Sequence, residues 1–292
     1  MSAGLLTTAA QGTAPSRTRR VSLLPTSVLL LGVVYALLPI IWVLIASTKT
    51  NTQLDSYGAF QPGGSFLNNF NRLTSYDGGV FWTWMLNTAL YAGGGGILSA
   101  AVSALTGYGF AKYRFRGKGF LFTMILVGML VPAVVLAVPQ YLLVAKLGLA
   151  NTYWAVLIPS IISPYGIYLA RIYAGASVPD EVIEAARMDG SGEWRTFLRI
   201  AVPMMTPGLV TIFLFQFVAI WNNFLLPWLM LSSENKYPLT VGLFTLLDAG
   251  TSQPSLYSLV LIGSLLSILP LIALFFLLQR FWRVDLGAGS VK

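Results

Sequence analysis

The residues that could do chemistry are concentrated in one stretch, Ser177 to Pro203. It holds half of the chain's ten acidic residues and three of its arginines: Asp180, Glu181, Glu184, Asp189, Glu193, Arg187, Arg195 and Arg199. The chain has no histidine and no cysteine, which excludes disulfides, thiol chemistry and the commonest metal ligands. Hydrophobic runs flank the stretch on both sides, so we predict a water-exposed element between two membrane spans.

The first half of this stretch has the signals of a short helix. Ser177 and Asp180 form an S-x-x-D pattern that predicts an N-cap, and Pro179 suits the first turn, where a missing N–H costs little. Gly190 suits a left-handed residue at the C-terminal end. Between them, an apolar face is predicted from the residues Val182, Ala185, Ala186 and Met188.

A second helix is predicted to follow at once. Its apolar residues recur at helical spacing: Trp194, Phe197, Leu198 and Ala201. The stretch is therefore a predicted helix–turn–helix hairpin with one apolar and one charged side.

The spacing within this hairpin resembles a known motif. Glu184-Ala185-Ala186, then Gly190, then nine residues, then Ile200-Ala201-Val202-Pro203 is similar to the E-A-A-x-x-x-G-x9-I-x-L-P motif of the permease subunits of binding-protein-dependent ABC importers, with Val202 in place of leucine. The resemblance implies a coupling helix that docks on a cytoplasmic ATPase through these positions: Glu184, Ala185, Ala186, Asp189, Gly190, Ile200 and Pro203. The alternative is an ordinary amphipathic loop helix.

The composition indicates a polytopic membrane protein. Of the 292 residues, 56% are hydrophobic and 10% are charged, against about 25% charged in soluble domains. Apolar runs of about 20 residues predict an all-α fold with six spans, at about 23–46, 84–110, 120–144, 153–172, 205–231 and 256–278. They form a permease domain over 21–279, with the coupling loop at 177–203, a disordered tail at 1–20 and a C-terminal tail at 280–292. The resemblance implies the type I importer permease fold.

The basic residues predict the orientation. An even number of spans places both termini on one side, and the opposite side holds only four of the eighteen lysines and arginines: Lys49, Arg72, Lys146 and Lys236. The positive-inside rule then places both termini and the coupling loop in the cytoplasm. The net charge of +8 is explained by insertion into a bilayer and needs no nucleic acid.

The span interiors contain neutral amides and no charged residue. A charge at the bilayer centre costs about 2.5–3.5 kcal/mol and usually marks an ion path, so the cargo is predicted to be neutral. The substrate-path candidates lie in the fifth span: Gln216, Trp221, Asn222 and Asn223. Amides can equally serve only to join neighbouring helices.

The resemblance extends over most of the chain after Pro39 and points to carbohydrate importers. The ending L-x-x-G-x-V-K, with Gly287, Gly289 and Lys292, is similar to that of the subunit equivalent to the second maltose permease, whose tail reaches the ATPase interface. The resemblance implies a second, homologous permease, two ATPase subunits, an extracytoplasmic sugar-binding protein and residence in a bacterial or archaeal cell membrane.

No nucleotide-binding motif is present, and we expect neither enzyme activity nor a cofactor in this chain. Two alternatives stay open. One is an importer permease for another small solute, such as a glycerol phosphate ester or an amino acid. The other is a stand-alone secondary transporter, for which the expected repeat symmetry and intramembrane ionisable residues are absent from the sequence.

Overall fold

The computed structural model describes the backbone of residues 23–288 and the side chains of residues 24–281. Over this range the chain forms helices joined by turns, without a β-strand. The predicted tail at 1–20 lies outside the described residues. Two units can be distinguished, Met1–Ile41 and Trp42–Lys292.

The first unit contributes most of one long apolar helix. This helix, α1, spans Leu23–Ala46, as the sequence predicted. Its 24 residues extend about 36 Å at 1.5 Å per residue, enough to cross the hydrocarbon core.

The second unit contains the remaining helices. In chain order they are α2 Asn51–Ser56, α3 Phe66–Ser75, α4 Val80–Lys112, α5 Lys118–Gly128, α6 Ala133–Lys146, α7 Tyr153–Ile161, α8 Pro164–Ser177, α9 Asp180–Met188, α10 Glu193–Thr196, α11 Val202–Trp221, α12 Leu225–Met230, α13 Leu239–Gly250 and α14 Tyr257–Ala288. A π-helical turn at Phe197–Ala201 joins α10 to α11.

Four to six of these segments could cross a membrane. Among the described residues, four helical segments are long and apolar enough, namely Leu24–Ala46, Phe66–Lys112, Glu193–Trp221 and Pro254–Phe281. The second of these joins α3 to α4 through a turn in which Asp77 and Gly78 have positive φ. Two bent pairs, α5 with α6 and α7 with α8, raise the number to six if each pair is one span; their bends are 104° and 41°. These pairs correspond to the third and fourth predicted spans.

Prolines explain the positions of the two breaks. Proline disfavours helical geometry in the residue before it and cannot donate to the preceding turn. Pro132 is the N-cap of α6, directly after the 104° bend. Pro164 opens α8, where the Ser163 hydroxyl accepts a hydrogen bond from the Gly166 amide at 3.1 Å.

The fifth predicted span differs from the observed helix. It was placed over 205–231, whereas the observed helix, Glu193–Trp221, begins within the coupling loop and ends ten residues earlier than predicted. Beyond it, α12 is a separate short helix. The segments 50–80 and 232–255, which lie between predicted spans, contain α2, α3 and α13. Tertiary packing of α3 and α13 against α4 and α14 stabilises these short helices, which their local sequences alone signal weakly.

Helix α4 is the centre of the second unit and packs mainly against α8 and α11. It buries a face of small residues, namely Gly95, Gly96, Ser99, Ser103 and Gly107. A Cβ on Gly107 would lie 2.5 Å from the Cβ of Ala170 in α8. Only glycine permits this approach of two helix backbones.

Candidate functional site

The coupling loop begins with α9, but not with the predicted cap. Ser177 is the last residue of α8, and the N-cap position of α9 is Pro179, without a capping hydrogen bond from a side chain. Val178 precedes a proline and takes an extended conformation (φ −115°, ψ 99°), which ends α8. The acidic residues Asp180 and Glu181 in the first turn suit the positive end of the helix dipole.

The C-terminal end of α9 is built as the sequence predicted. Gly190 has φ +78°, in the left-handed region that favours glycine. The Gly190 amide donates to the Arg187 carbonyl at 3.0 Å, and the Ser191 amide donates to the Ala186 carbonyl at 2.9 Å. These two bonds form a Schellman motif that reverses the chain between the two helices of the hairpin.

The two faces of α9 differ from the predicted ones. Ile183 and Ala186 are buried, and Ile183 packs in a cluster with residues of α4, α8 and α11. Ala185 is exposed and Met188 is 90% exposed, so the predicted apolar face was wrong at both positions. Because successive helical residues are rotated by about 100°, burial of Ile183 and Ala186 turns Glu184, Ala185 and Met188 outwards together.

Salt bridges and a tyrosine hold the hairpin to the end of α4. Arg187 binds Glu193 through Nε and Oε1 at 2.7 Å, joining the two helices of the loop. The Tyr113 hydroxyl donates to Glu193 Oε2 at 2.5 Å. Lys112 Nζ lies 2.7 Å from Asp180 Oδ1, and this lysine holds the pKa of the Asp180 carboxyl below its usual value.

Sequence reasoning missed these links. Lys112 and Asp180 are 68 residues apart, and Tyr113 and Glu193 are 80 apart, so no local spacing could reveal them. The one available signal is the basic turn from Lys112 to Lys118 on the same predicted side as the acidic loop.

The Glu184 carboxylate, like those of Glu181 and Asp189, has neither a hydrogen bond nor a salt bridge among the described residues, and of these three acids it alone lines a cavity. It lines a polar cavity of about 380 Å³ together with Lys112, Arg114, Asp180, Ile183 and Arg187. An exposed acid beside the small Ala185 presents both a charge and room for close approach to a second protein.

The second helix of the hairpin continues directly into a membrane helix. Its buried residues are Thr196, Phe197 and Ala201, whereas Trp194 and Leu198 are 61% and 47% exposed, contrary to the predicted apolar face. Ile200 is half-buried and Pro203 is exposed. In the π turn the Val202 amide donates to the Phe197 carbonyl. This five-residue spacing differs from the α-helical spacing and precedes Pro203, which has no N–H to donate.

The structure brings together only two of the four substrate-path candidates. Gln216 and Asn223 line a cavity of about 200 Å³, and Gln140 lines it too. Gln216 Nε2 donates to the Ser160 carbonyl at 2.9 Å, a carbonyl left free because Pro164 interrupts the helix.

The other two candidates lie elsewhere. Trp221 is 4% exposed and stacks on Phe217, with 5.4 Å between ring centroids. The Asn222 amide donates to the Val218 carbonyl of its own helix at 2.8 Å. Neither residue lines the cavity of Gln216 and Asn223.

Two further predicted features concern metals and the tail. Among the described side chains, those of residues 24–281, no group of three histidine, cysteine, aspartate or glutamate residues could hold a metal ion. Gly287 lies in the last turns of α14, while Gly289 and Lys292 lie outside the described residues.

Comparison with known proteins identifies the family. Residues 96–283 match the family described as "Binding-protein-dependent transport system inner membrane component". The chain is 35% identical over 260 residues to the arabinooligosaccharides transport system permease protein AraQ of Halalkalibacterium halodurans, covering 88% of this chain and 91% of that protein. It is 33% identical over 278 residues to the lactose transport system permease protein LacG of Rhizobium radiobacter, covering 94% and 98%.

A solved structure supports the same assignment. A chain of a bacterial ABC transporter that imports the acidic polysaccharide alginate matches with a TM-score of 0.76 and 26% identity, covering 92% of this chain and 99% of that one. The predicted resemblance to carbohydrate importer permeases is thereby confirmed. The chain belongs to the inner-membrane components of binding-protein-dependent ABC transport systems.

Proposed function

We propose that this chain is the permease subunit of an ATP-driven sugar importer, forming half of the translocation path. Exposed Glu184, at the polar cavity that Glu181 does not line, carries the coupling part of the proposal. Its position on a helix fixed by the Gly190 cap and turned outward with Ala185 suits docking on an ATPase. Relatives named for arabinooligosaccharide and lactose transport support a carbohydrate cargo.

The partners follow from the same assignment. A homologous permease completes the path, two ATPase subunits supply ATP hydrolysis, and an extracytoplasmic binding protein delivers the sugar. A second alginate transporter structure, which matches in fold with a TM-score of 0.62, is described as a complex with a pentasaccharide-bound periplasmic protein. Six spans, with both termini and the coupling loop in the cytoplasm of a bacterial or archaeal cell, fit the excess of basic residues on one side.

Movement of the ATPase reaches the membrane helices through two connections. The hairpin is continuous with α11 through the π turn at Phe197–Ala201. It is also joined to the end of α4 through Lys112–Asp180 and Tyr113–Glu193. A rigid displacement of α9 therefore displaces α4 and α11 together, and these helices pack on each other, as alternating access by bundle rocking requires.

The cavity between the spans favours a neutral cargo. Its polar side chains are the amides Gln140, Gln216 and Asn223, without a charged residue in its lining. A relative 26% identical to this chain is the sn-glycerol-3-phosphate permease UgpE of Salmonella typhi, which makes a phosphate ester the second candidate. A phosphate ester would want a cation in the path, which this cavity lacks.

Glu184→Gln tests the coupling role and is compared with Glu181→Gln, an exposed acid on the same helix. In the reconstituted transporter we expect Glu184→Gln to lower both sugar uptake and the ATPase activity stimulated by the loaded binding protein. We expect Glu181→Gln to retain most of both. Equal activities in the two variants, with equal amounts inserted in the membrane, would contradict a coupling role for Glu184.

A further inference from the structure

We propose that a cavity between α4, α5 and α8 binds the phosphate headgroup of an anionic phospholipid. The cavity has a volume of about 420 Å³ and combines two cations with apolar and aromatic groups. Its cations are Lys118 at the start of α5 and Arg171 in α8. This site goes beyond the proposed transport function, which uses neither residue.

The charge in this cavity is unbalanced. None of the residues that line it is acidic. Among the described residues, salt bridges join Lys112 to Asp180 and Arg187 to Glu193, so neither cation of the cavity is neutralised. Lys118 Nζ donates to the Tyr113 carbonyl at 3.0 Å, which leaves two of its three donor hydrogens available.

Arg171 is oriented by aromatic rings and not by an acid. Its Cζ lies 3.9 Å from the centroid of the Phe122 ring, and Phe122 stacks with Tyr168 at 6.5 Å. This cation–π contact fixes the plane of the guanidinium and leaves its N–H fork free for two oxygens of one phosphate.

The position along the helices fits a headgroup. Arg171 lies six residues before the end of α8, which is about 9 Å along the helix axis, and Lys118 is the first residue of α5. Both therefore lie near helix ends on the side of the basic turn that includes exposed Arg114 and Arg116. Beyond them the outward residues are apolar, such as exposed Phe120 and Ile172, which suits acyl chains. A phosphodiester with two acyl chains matches this order of surfaces, and basic pockets between spans bind such lipids elsewhere.

Native mass spectrometry of the transporter purified in mild detergent tests the proposal. Phosphatidylglycerol and phosphatidylcholine with the same acyl chains are added separately, and inorganic phosphate is added in a third arm. We expect preferential retention of phosphatidylglycerol. We expect each of Arg171→Gln and Lys118→Gln to lower that retention about fivefold, the effect of about one cation at a membrane surface. Arg116→Gln, which removes an exposed cation outside the cavity lining, is the matched control and should change retention little.

Three results would overturn the proposal. Equal retention of the two lipids would show that the cavity does not select an anionic headgroup. Equal losses of lipid retention in Arg116→Gln and in the cavity variants would indicate binding to a diffuse basic surface and not to a defined site. Displacement of the lipid by millimolar phosphate would assign the cavity to a free anion. If Arg171→Gln is not recovered folded, Lys118→Gln alone tests the lipid site. Because lipid retention is measured without transport, the outcome is independent of the proposed function.

Discussion

The turn at Gly190 gives the sharpest structural prediction. Gly190 has φ +78°, and a Cβ placed there would meet nothing within 4 Å. The cost of Gly190→Ala is therefore backbone strain alone, about 1–2 kcal/mol for an L-residue in the left-handed region. Gly192 also has open space around a Cβ, but its φ is −69°, a conformation that alanine adopts freely.

The pair of variants isolates this strain. Both lose the same unfolded-chain entropy, about 0.4–1 kcal/mol in favour of the alanine, so this contribution cancels in the comparison. The remaining difference of about 1–2 kcal/mol corresponds to a factor of about 5–30 in the opening equilibrium of the turn.

Hydrogen exchange at the Ser191 amide measures that equilibrium, since this amide closes the turn by donating to the Ala186 carbonyl. We expect exchange about 5–30 times faster in Gly190→Ala than in Gly192→Ala, with a parallel loss of binding-protein-stimulated ATPase activity. Equal exchange in the two variants would refute the prediction that an alanine at position 190 strains the backbone of the turn. Faster exchange with unchanged stimulation of the ATPase activity would show that the closed turn is not required for coupling.

Three further predictions test the packing and the links. Gly107→Ala should destabilise the protein by about 1–3 kcal/mol through overpacking against α8, whereas Gly109→Ala, with open space around its Cβ, should not. Thermal unfolding in detergent compares the two variants, and equal unfolding midpoints would contradict the close contact of α4 with α8. Because its lysine partner lowers the pKa of Asp180, that salt bridge stabilises the loop above the usual carboxyl pKa of about 4 and loses its effect as pH falls through the lowered value. The protection of the loop, corrected for the intrinsic pH dependence of amide exchange, should therefore fall more on acidification in the wild type than in Asp180→Asn, which keeps only the Arg187–Glu193 salt bridge, and parallel profiles would refute the link. Gln216→Leu leaves the Ser160 carbonyl without its donor, which should cost about 1–3 kcal/mol; an unfolding midpoint equal to that of the wild type would show that another donor replaces the amide.

Local features could be predicted from the sequence where a single residue determines the backbone. Gly190 was placed correctly because few residues but glycine tolerate its conformation. The first apolar helix was placed at its observed bounds because an uncharged run of that length has few other structures. The small-residue face of α4 is also readable from the sequence, because glycine and serine at helical spacing commonly mark close helix packing in membrane helices.

Features that depend on tertiary contacts could not be predicted. Which face of α9 is buried is decided by the helices beneath it, and Ile183 with Ala186, not Met188, meets them. Trp221 is buried in a cluster with residues of α4 and α7, which the order of residues does not reveal. The salt bridge of Lys112 with Asp180 joins elements far apart in the chain, so composition indicated only that both lie on one side.

The most direct test of the central claim uses the absence of cysteine from this chain. Met188→Cys introduces a single thiol at the 90% exposed tip of α9, and Lys146→Cys introduces one at an exposed position that we place on the opposite side of the membrane. Each is labelled with a short photo-crosslinker in native membranes, and the attached proteins are identified. The account predicts that Met188→Cys attaches to an ATPase subunit and that Lys146→Cys does not. Attachment of the ATPase to position 146, or to neither position in membranes that import the sugar, would contradict the coupling role of the loop.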